Sequence, residues 1–353
     1  MKRVMDIEEK SNFLNIVKGI AIFLMLYGHC IQYMDVTGQS FWNNPSFLFI
    51  YSFHMPLFML VSGYTFYFSF IKRDWKSLIA HKSQQMIQPI LCFGTAAWYL
   101  TFGVEYMRQG SFGAVMDGNW WLSLKDTWFL WSVLANSIWM ALIYKLVSVR
   151  SIQILGILIG FFFVSLFPNM HLNIYMYPYF VAGFWYHRYE KTLEKWIKHL
   201  VIYVMLIFPI LFVFFRKEDL IYITKIWGDV YSLKTYAIIN LYRWGIGFSG
   251  SALALVFTYW LTKLVGQGKI KCYLETMGKY SLQIYCLSIV FLSFYLPKLI
   301  LQVQIITGEV DFIQCGFGSS MLGLVLAVIY SVFLLKISKL CEKYGLGKLL
   351  FGR

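Results

Sequence analysis

Lys18 and His29 both stand in the first long apolar stretch of the chain, Asn15-IVKGIAIFLMLYG-His29. An ionisable side chain in a membrane segment costs at least a few kcal/mol, so it marks a functional site by default. Eleven helical residues separate the pair, which is about 16 Å of rise, or half the hydrocarbon thickness. A lysine near one membrane face is suited to meet an anionic group, or to snorkel its amine toward the headgroups. A histidine has no long stem to snorkel with, and its near-neutral titration suits a general base for a hydroxyl. A hydrogen-bonded packing histidine is the plainer reading of the same residue.

The second apolar stretch, Tyr51-SFHMPLFMLVSGY-Tyr64, carries His54 at a depth comparable to His29 if it runs back across the membrane. Pro56 opens its backbone ladder and Gly63 permits close approach by a neighbouring helix. No third ligand at that depth is evident, so no metal site is expected.

These residues need a scaffold of spanning helices, and the composition supplies one. Of 353 residues 59% are hydrophobic and 14% charged, against about 25% charged in a soluble domain. Ten apolar spans are expected, at 14–34, 46–70, 84–103, 127–147, 151–167, 173–188, 197–215, 244–265, 276–296 and 317–336. They read as one all-α integral-membrane domain over residues 1–353, a bundle of about ten transmembrane helices. Alternating short strands are not seen, which argues against a barrel.

The net charge of +14 is a topology signal rather than a nucleic-acid footprint. With the N-terminus inside, the inner segments hold 22 Lys and Arg and the outer loops 8. The bias places both termini in the cytoplasm. No cleavable signal precedes the first span, which reads as a retained anchor. Six scattered cysteines imply no disulfide framework, although Cys30 and Cys315 could approach each other at the outer face. The outer loops 104–126 and 216–243 are rich in Trp and Tyr, among them Trp120, Trp121, Tyr222, Trp227, Tyr231, Tyr236 and Tyr242. Such residues form either an interfacial belt or a platform for sugar faces.

Cations on the inner face, Lys72, Arg73 and Lys82, with Lys18 slightly deeper, would concentrate a polyanionic donor. For each of them plain positive-inside bias is the alternative. Candidates to orient His29 are Asp126, next to Trp128, and the neutral groups of Tyr51, His54 and Ser62. Ser281 and Tyr285 are candidate oxyanion donors, and Arg243, expected at the outer mouth of the eighth span, could meet an anionic sugar or a lipid pyrophosphate.

The Lys-x10-His spacing and the FHMPLFMLVSGY segment resemble the acyltransferase-3 family of integral membrane acyltransferases. Thr127-WFLWSVL, Tyr179-FVAGFWYHR and Met277-GKYSLQIY resemble further segments of that family, in its order, over roughly residues 10–340. The resemblance implies transfer of an acyl group, usually acetyl, from cytoplasmic acyl-CoA to a hydroxyl of an extracytoplasmic glycan or lipid-linked sugar. It implies a multi-pass protein of the bacterial inner membrane, with acyl-CoA as co-substrate and no bound cofactor. The family's motif maps onto Lys18 and His29, which implies His29 as the catalytic residue, a base or an acyl carrier; from the reading of the residues above, Asp126 and His54 are the candidates to help it. Lys18, Lys72, Arg73 and Lys82 are the donor side; Trp128, Arg243 and Tyr285 are the acceptor side. The chain departs from the family in reading Lys82-SQ-Gln85 where Arg-x-x-Arg is common, and Ser288 where a histidine often stands. No esterase-like domain is expected after residue 340. A transporter or flippase for a glycan or small anion, and a non-catalytic partner in envelope synthesis, are the competing classes; oligomeric state is not readable.

Overall fold

The computed structural model describes residues 7–35, 38–103, 118–224, 233–266, 268–307 and 316–352. Among these residues every regular element is helical. Helix α1 spans Ile7–Met34, α2 Pro45–Lys72, α3 Trp75–Trp98, α4 Gly118–Lys125, α5 Trp128–Leu146, α6 Arg150–Ser165 and α7 Met170–Arg188. They are followed by α8 Glu190–Phe214, α9 Leu233–Leu264, α10 Lys269–Lys279, α11 Ser281–Val290, α12 Leu296–Thr307, α13 Gly316–Lys343 and the short α14 Leu346–Phe351.

Each expected apolar span lies on helix, but the helices differ in how well they suit a bilayer. Six stretches are long and apolar enough to cross: α1, α2, α5, α9, α11 continued into α12, and α13. The other four expected spans fall on α3, α6, α7 and α8; α3, α6 and α7 are too short or too polar to qualify alone, and α8 is apolar over its described stretch His199–Phe214. Helix α7 shows why: Asn173, Tyr175, Tyr177 and Tyr179 are buried among neighbouring helices, so they never face lipid. Its polar groups are paired instead. Asn173 Nδ2 donates to the carbonyls of Val164 and Pro168, and Ser132 of α5 donates to Asn173 Oδ1.

Local signals set the helix starts. Asn44 caps α2, accepting from Ser46 N and Phe47 N, with Pro45 pre-set at the first turn. Asp74 caps α3 through Lys76 N and Ser77 N, and these hydrogen bonds hold its carboxyl below the usual range.

Lys10, Lys145 and Arg188 gather at one end of the bundle. Lys10 of α1 pairs with Glu190 of α8 at 3.0 Å, and Tyr64 of α2 donates to the same carboxylate. Lys145 of α5 lies over the Phe70 ring and Arg188 of α7 over Tyr144. This is the Lys18 end; His29 lies toward the opposite, His29 end.

Helix α1 runs through the middle, with Ile16, Val17, Ala21, Ile22, Met25 and Leu26 essentially inaccessible. It packs on α2, α9, α10, α11 and α13. Two of the tightest crossings are backbone on backbone. A Cβ at Gly19 would fall on the Leu274 carbonyl, and one at Gly278 on the Asn15 carbonyl, which joins α1 to α10. Gly63 meets the Phe180 carbonyl and Gly183 the Leu60 carbonyl, which joins α2 to α7. Small residues at helix crossings permit this approach in membranes, where apolar burial offers no gain over lipid.

Gly183→Ala and Gly278→Ala should therefore lower the melting temperature and yield of detergent-solubilised protein, by about 1–3 kcal/mol or more in stability. Gly347→Ala, with open space around it, should leave both unchanged; equal behaviour of the three variants would contradict the close-packing account.

Candidate active site

Closure of α10 on α1 brings the first turn of α11 alongside Lys18. Ser281, Leu282 and Tyr285 then face Lys18, Ile22 and Met25 across a cavity of about 140 Å³. Helix α2 adds Met55, Phe58, Ser62, Thr65 and Phe66; α3 adds Lys82, Gln85 and Met86; α5 adds Phe129, Leu130, Val133 and Ser137. Five helices thus supply one lining, at helical spacings of three and four residues.

The cavity is graded along its length. At the Lys18 end, Lys82 Nζ donates to Gln85 Oε1 at 3.0 Å and lies over the Phe66 ring. At the other end, Met25, Met55, Phe58 and Phe129 close the space, and the Tyr285 and Phe129 rings are 5.7 Å apart. His29 follows Met25 by one turn of α1.

At His29, Nδ1 lies 3.1 Å from Gln32 Oε1 and 3.2 Å from the Tyr51 hydroxyl, which also donates to Gln32 Oε1 at 3.3 Å. The amide oxygen can only accept, so it holds the imidazole proton on Nδ1. Nε2, with no hydrogen bond to a described residue, keeps the lone pair that a base requires. Tyr33 stacks on the ring at a centroid distance of 5.5 Å. From His29 an aromatic track runs outward. Tyr51 meets Tyr222 edge to face at 5.8 Å, and Tyr222 meets Trp128 at 6.0 Å.

The sequence candidates separate on this geometry. Lys18, Lys82, Ser62, Ser281 and Tyr285 share the cavity. Trp128 and Tyr222 stand at the His29 end of it. His54 is 1% exposed, with Nδ1 2.8 Å from the Ile50 carbonyl of its own helix and its ring against Tyr51. Lys72 and Arg73 lie at the end of α2, outside the cavity lining. Asp126 occupies the turn between α4 and α5; it is open at the surface, and its charge reaches Tyr33 and Tyr285. The protein crowding its other side desolvates the carboxyl and raises its pKa.

Arg243 differs most from expectation. Helix α9 begins at Leu233, so Arg243 sits within the helix rather than at a loop mouth. It is 2% exposed. Its guanidinium donates to the carbonyls of Asp219 at 2.5 Å, Leu220 at 3.2 Å and Thr224 at 3.1 Å, and to Asn240 Oδ1 at 3.3 Å. It pins the turn that carries Tyr222.

Gln32 and Ser137 were not singled out by sequence reasoning, and Gln85 was named only as a departure from the family's pattern. Gln32 carried a signal, one turn beyond His29 on the same helix face. Cys315, Trp227, Tyr231 and most of the loop 104–126 lie outside the described residues; among those described, the cysteines are free and no three His, Cys, Asp or Glu side chains converge as a metal site.

A helical, membrane-embedded protein, with a cavity that runs from two lysines toward a histidine one turn beyond it, is the class that fold and site define. A family model described as an acyltransferase domain matches residues 11–336, and the chain belongs to this acyltransferase-3 family. It is 30% identical over 173 residues to the nodulation protein NolL of Mesorhizobium japonicum, a match covering 47% of this chain and 45% of that one. It is 29% identical over 185 residues to the nodulation protein NolL of Sinorhizobium fredii, covering 51% and 48%. The match thus spans about half the length of these curated relatives. No solved structure matches.

Arg243→Lys should lower the melting temperature sharply, because a lysine cannot reach four acceptors in this fork and each acceptor left buried and unpaired costs about 1–3 kcal/mol. An unchanged melting point with weakened acceptor use would return Arg243 to the acceptor side. For Asp126 the raised folded-state pKa means that ionisation opposes folding. Stability should fall as pH rises through that value, and Asp126→Asn should lack this slope in a pH series of thermal melts.

Proposed function

We propose that the protein is an O-acyltransferase, with acetyl as the first acyl group to test. It moves the group from acyl-CoA to a hydroxyl of an extracytoplasmic or lipid-linked glycan. The supporting observation is the single cavity that begins among Lys18, Lys82 and Gln85 and ends one turn short of His29.

In this reading the Lys18 end faces the cytoplasm of a bacterial inner membrane, in accord with the basic residues gathered there. Lys18 and Lys82 meet the anionic donor, and the thioester carbonyl rests between Met25, Met55 and Tyr285. The acceptor hydroxyl arrives along Tyr222 and Trp128, whose rings suit the apolar face of a sugar. His29 Nε2 takes the hydroxyl proton while the oxygen attacks the thioester carbon; the new C–O bond replaces the C–S bond. CoA leaves as a thiolate and takes the proton from the imidazolium. The hydroxyls of Tyr285 and Ser281 are placed to meet the developing oxyanion. Gln32 and Tyr51 hold the imidazole in the tautomer that the step needs.

The experiment is ester content of surface glycans, by NMR or mass spectrometry, in cells carrying wild-type protein, His29→Ala or no protein. An acetyl ester should appear only with the wild type, although His29→Ala accumulates normally. Gln32→Ala should reduce the ester by tenfold or more at unchanged protein level. Full esterification in the His29→Ala cells would remove His29 from the reaction.

A further inference from the structure

The cavity contains a polar group that no described residue satisfies. Ser137 of α5 is 1% exposed, lines the cavity, and has no hydrogen-bond partner for its Oγ. Buried hydroxyls are paired as a rule, because an unmade hydrogen bond forfeits hydration with no return. The contrast within α5 is informative. Ser132, five residues earlier, donates to Asn173, and Asn136 donates to the Ser132 carbonyl at 2.6 Å, although its Oδ1 is also without a partner among the described residues. Neither Ser132 nor Asn136 lines the cavity. Ser132 serves packing against α7, whereas Ser137, on the cavity face, bonds no described residue.

Its depth identifies what it meets. Phe129, Val133 and Ser137 form one stripe on α5, with Ser137 about 12 Å along the axis from Phe129. Phe129 touches Tyr285 at the His29 end, whereas Lys145, further along the same helix, lies over Phe70 at the Lys18 end. Ser137 therefore stands between the cationic mouth and the apolar terminus. An occupant that fits this order has an anionic group, then a hydrogen-bonding linker, then an apolar reactive tip. A phosphopantetheine thioester has that order, with two amides along the arm.

We propose that Ser137 is a donor-binding residue whose hydroxyl donates to the carbonyl of the pantetheine amide nearer the phosphate. This rests on the acyl-thioester reading of the cavity and adds to it the residue that reads the arm. The hydroxyl is far from the reacting carbon, so it binds ground state and transition state alike and acts on KM rather than kcat. Coenzyme A and an acylated carrier protein share this arm, and the donor series below separates them.

The test uses the purified full-length protein with four donors: acetyl-CoA, an acetylated carrier protein, acetyl-pantetheine and S-acetyl-N-acetylcysteamine. The last keeps only the amide next to the sulfur. Ser137→Ala should raise KM for acetyl-CoA and acetyl-pantetheine roughly three- to tenfold with kcat within twofold, and leave the cysteamine donor unchanged. Ser137→Thr, which retains the hydroxyl, should restore most of the difference. A carrier protein turned over more efficiently than acetyl-CoA would make it the source of the arm. Equal loss with all donors, or no loss with any, would overturn the assignment. Binding of unacylated CoA by calorimetry decides the matter apart from turnover. Weaker binding by Ser137→Ala than by wild type supports the assignment even if no acetyl transfer is seen, in which case the proposed reaction fails and the assignment stands. Equal binding, or no binding by wild-type protein, overturns it.

Discussion

The backbone contacts at four glycines are the constraint on which the remaining geometry depends. Gly19 and Gly278 bring α1 and α10 together, and Gly63 and Gly183 do the same for α2 and α7. Neither crossing leaves room for a methyl group. Lys18 adjoins Gly19, and Ser281 follows Gly278 by three residues, so the first crossing fixes the separation of Lys18 from the start of α11. The second crossing fixes the depth of Ser62 and Thr65, because Gly63 lies between them. Wider crossings would spread the five-helix lining and merge the cavity with lipid. In a bilayer, where burying an apolar side chain gains little over leaving it in lipid, contact geometry has to carry this specification.

Within that frame the polarity gradient of the cavity follows from electrostatics. Cations are least costly near the membrane face, where headgroups and water reach them, and Lys18 and Lys82 stand at that end. The imidazole deeper in the bundle meets a neutral amide and a phenol rather than a carboxylate. A buried carboxylate would itself require a partner. Gln32 supplies orientation without that cost. Tyr51 then serves twice, at Gln32 and as the first ring of the track through Tyr222 to Trp128.

Much of this was legible in the sequence, and the limits are physical. The pairing of a lysine and a histidine eleven positions apart in an apolar run announced α1 and its two chemical ends, because each residue is costly there. Gly63 announced a close approach, though not which helix would meet it, and Gly19, Gly183 and Gly278 were not read that way. Arg243 was misplaced because the residues before it, Leu233–Tyr242, mix polar and aromatic side chains and read as loop by hydropathy. They form helix because Tyr236 is buried by its neighbours and Arg243 draws the 219–224 turn onto the helix. Hydropathy measures the preference for lipid, and residues that face protein escape it. The same effect left α3 and α7 poorer in apolar character than their positions suggest. Ser137 was invisible for a different reason: a serine in a span is ordinary, and only the missing partner sets it apart.

Two kinds of arginine and lysine therefore coexist in the protein. Arg243 is fully occupied by carbonyls and acts as a structural clamp, whereas Lys18 and Lys82 line a cavity with room for a ligand. Composition cannot separate them, and depth alone does not. What separates them is whether the local backbone presents unpaired carbonyls. The irregular 217–224 segment does, and it consumes the guanidinium. The regular helices α1 and α3 satisfy their own carbonyls, and Lys82 meets the Gln85 side chain and the Phe66 ring instead. In the proposed reading, an anion is met where continuous helix surrounds the cavity.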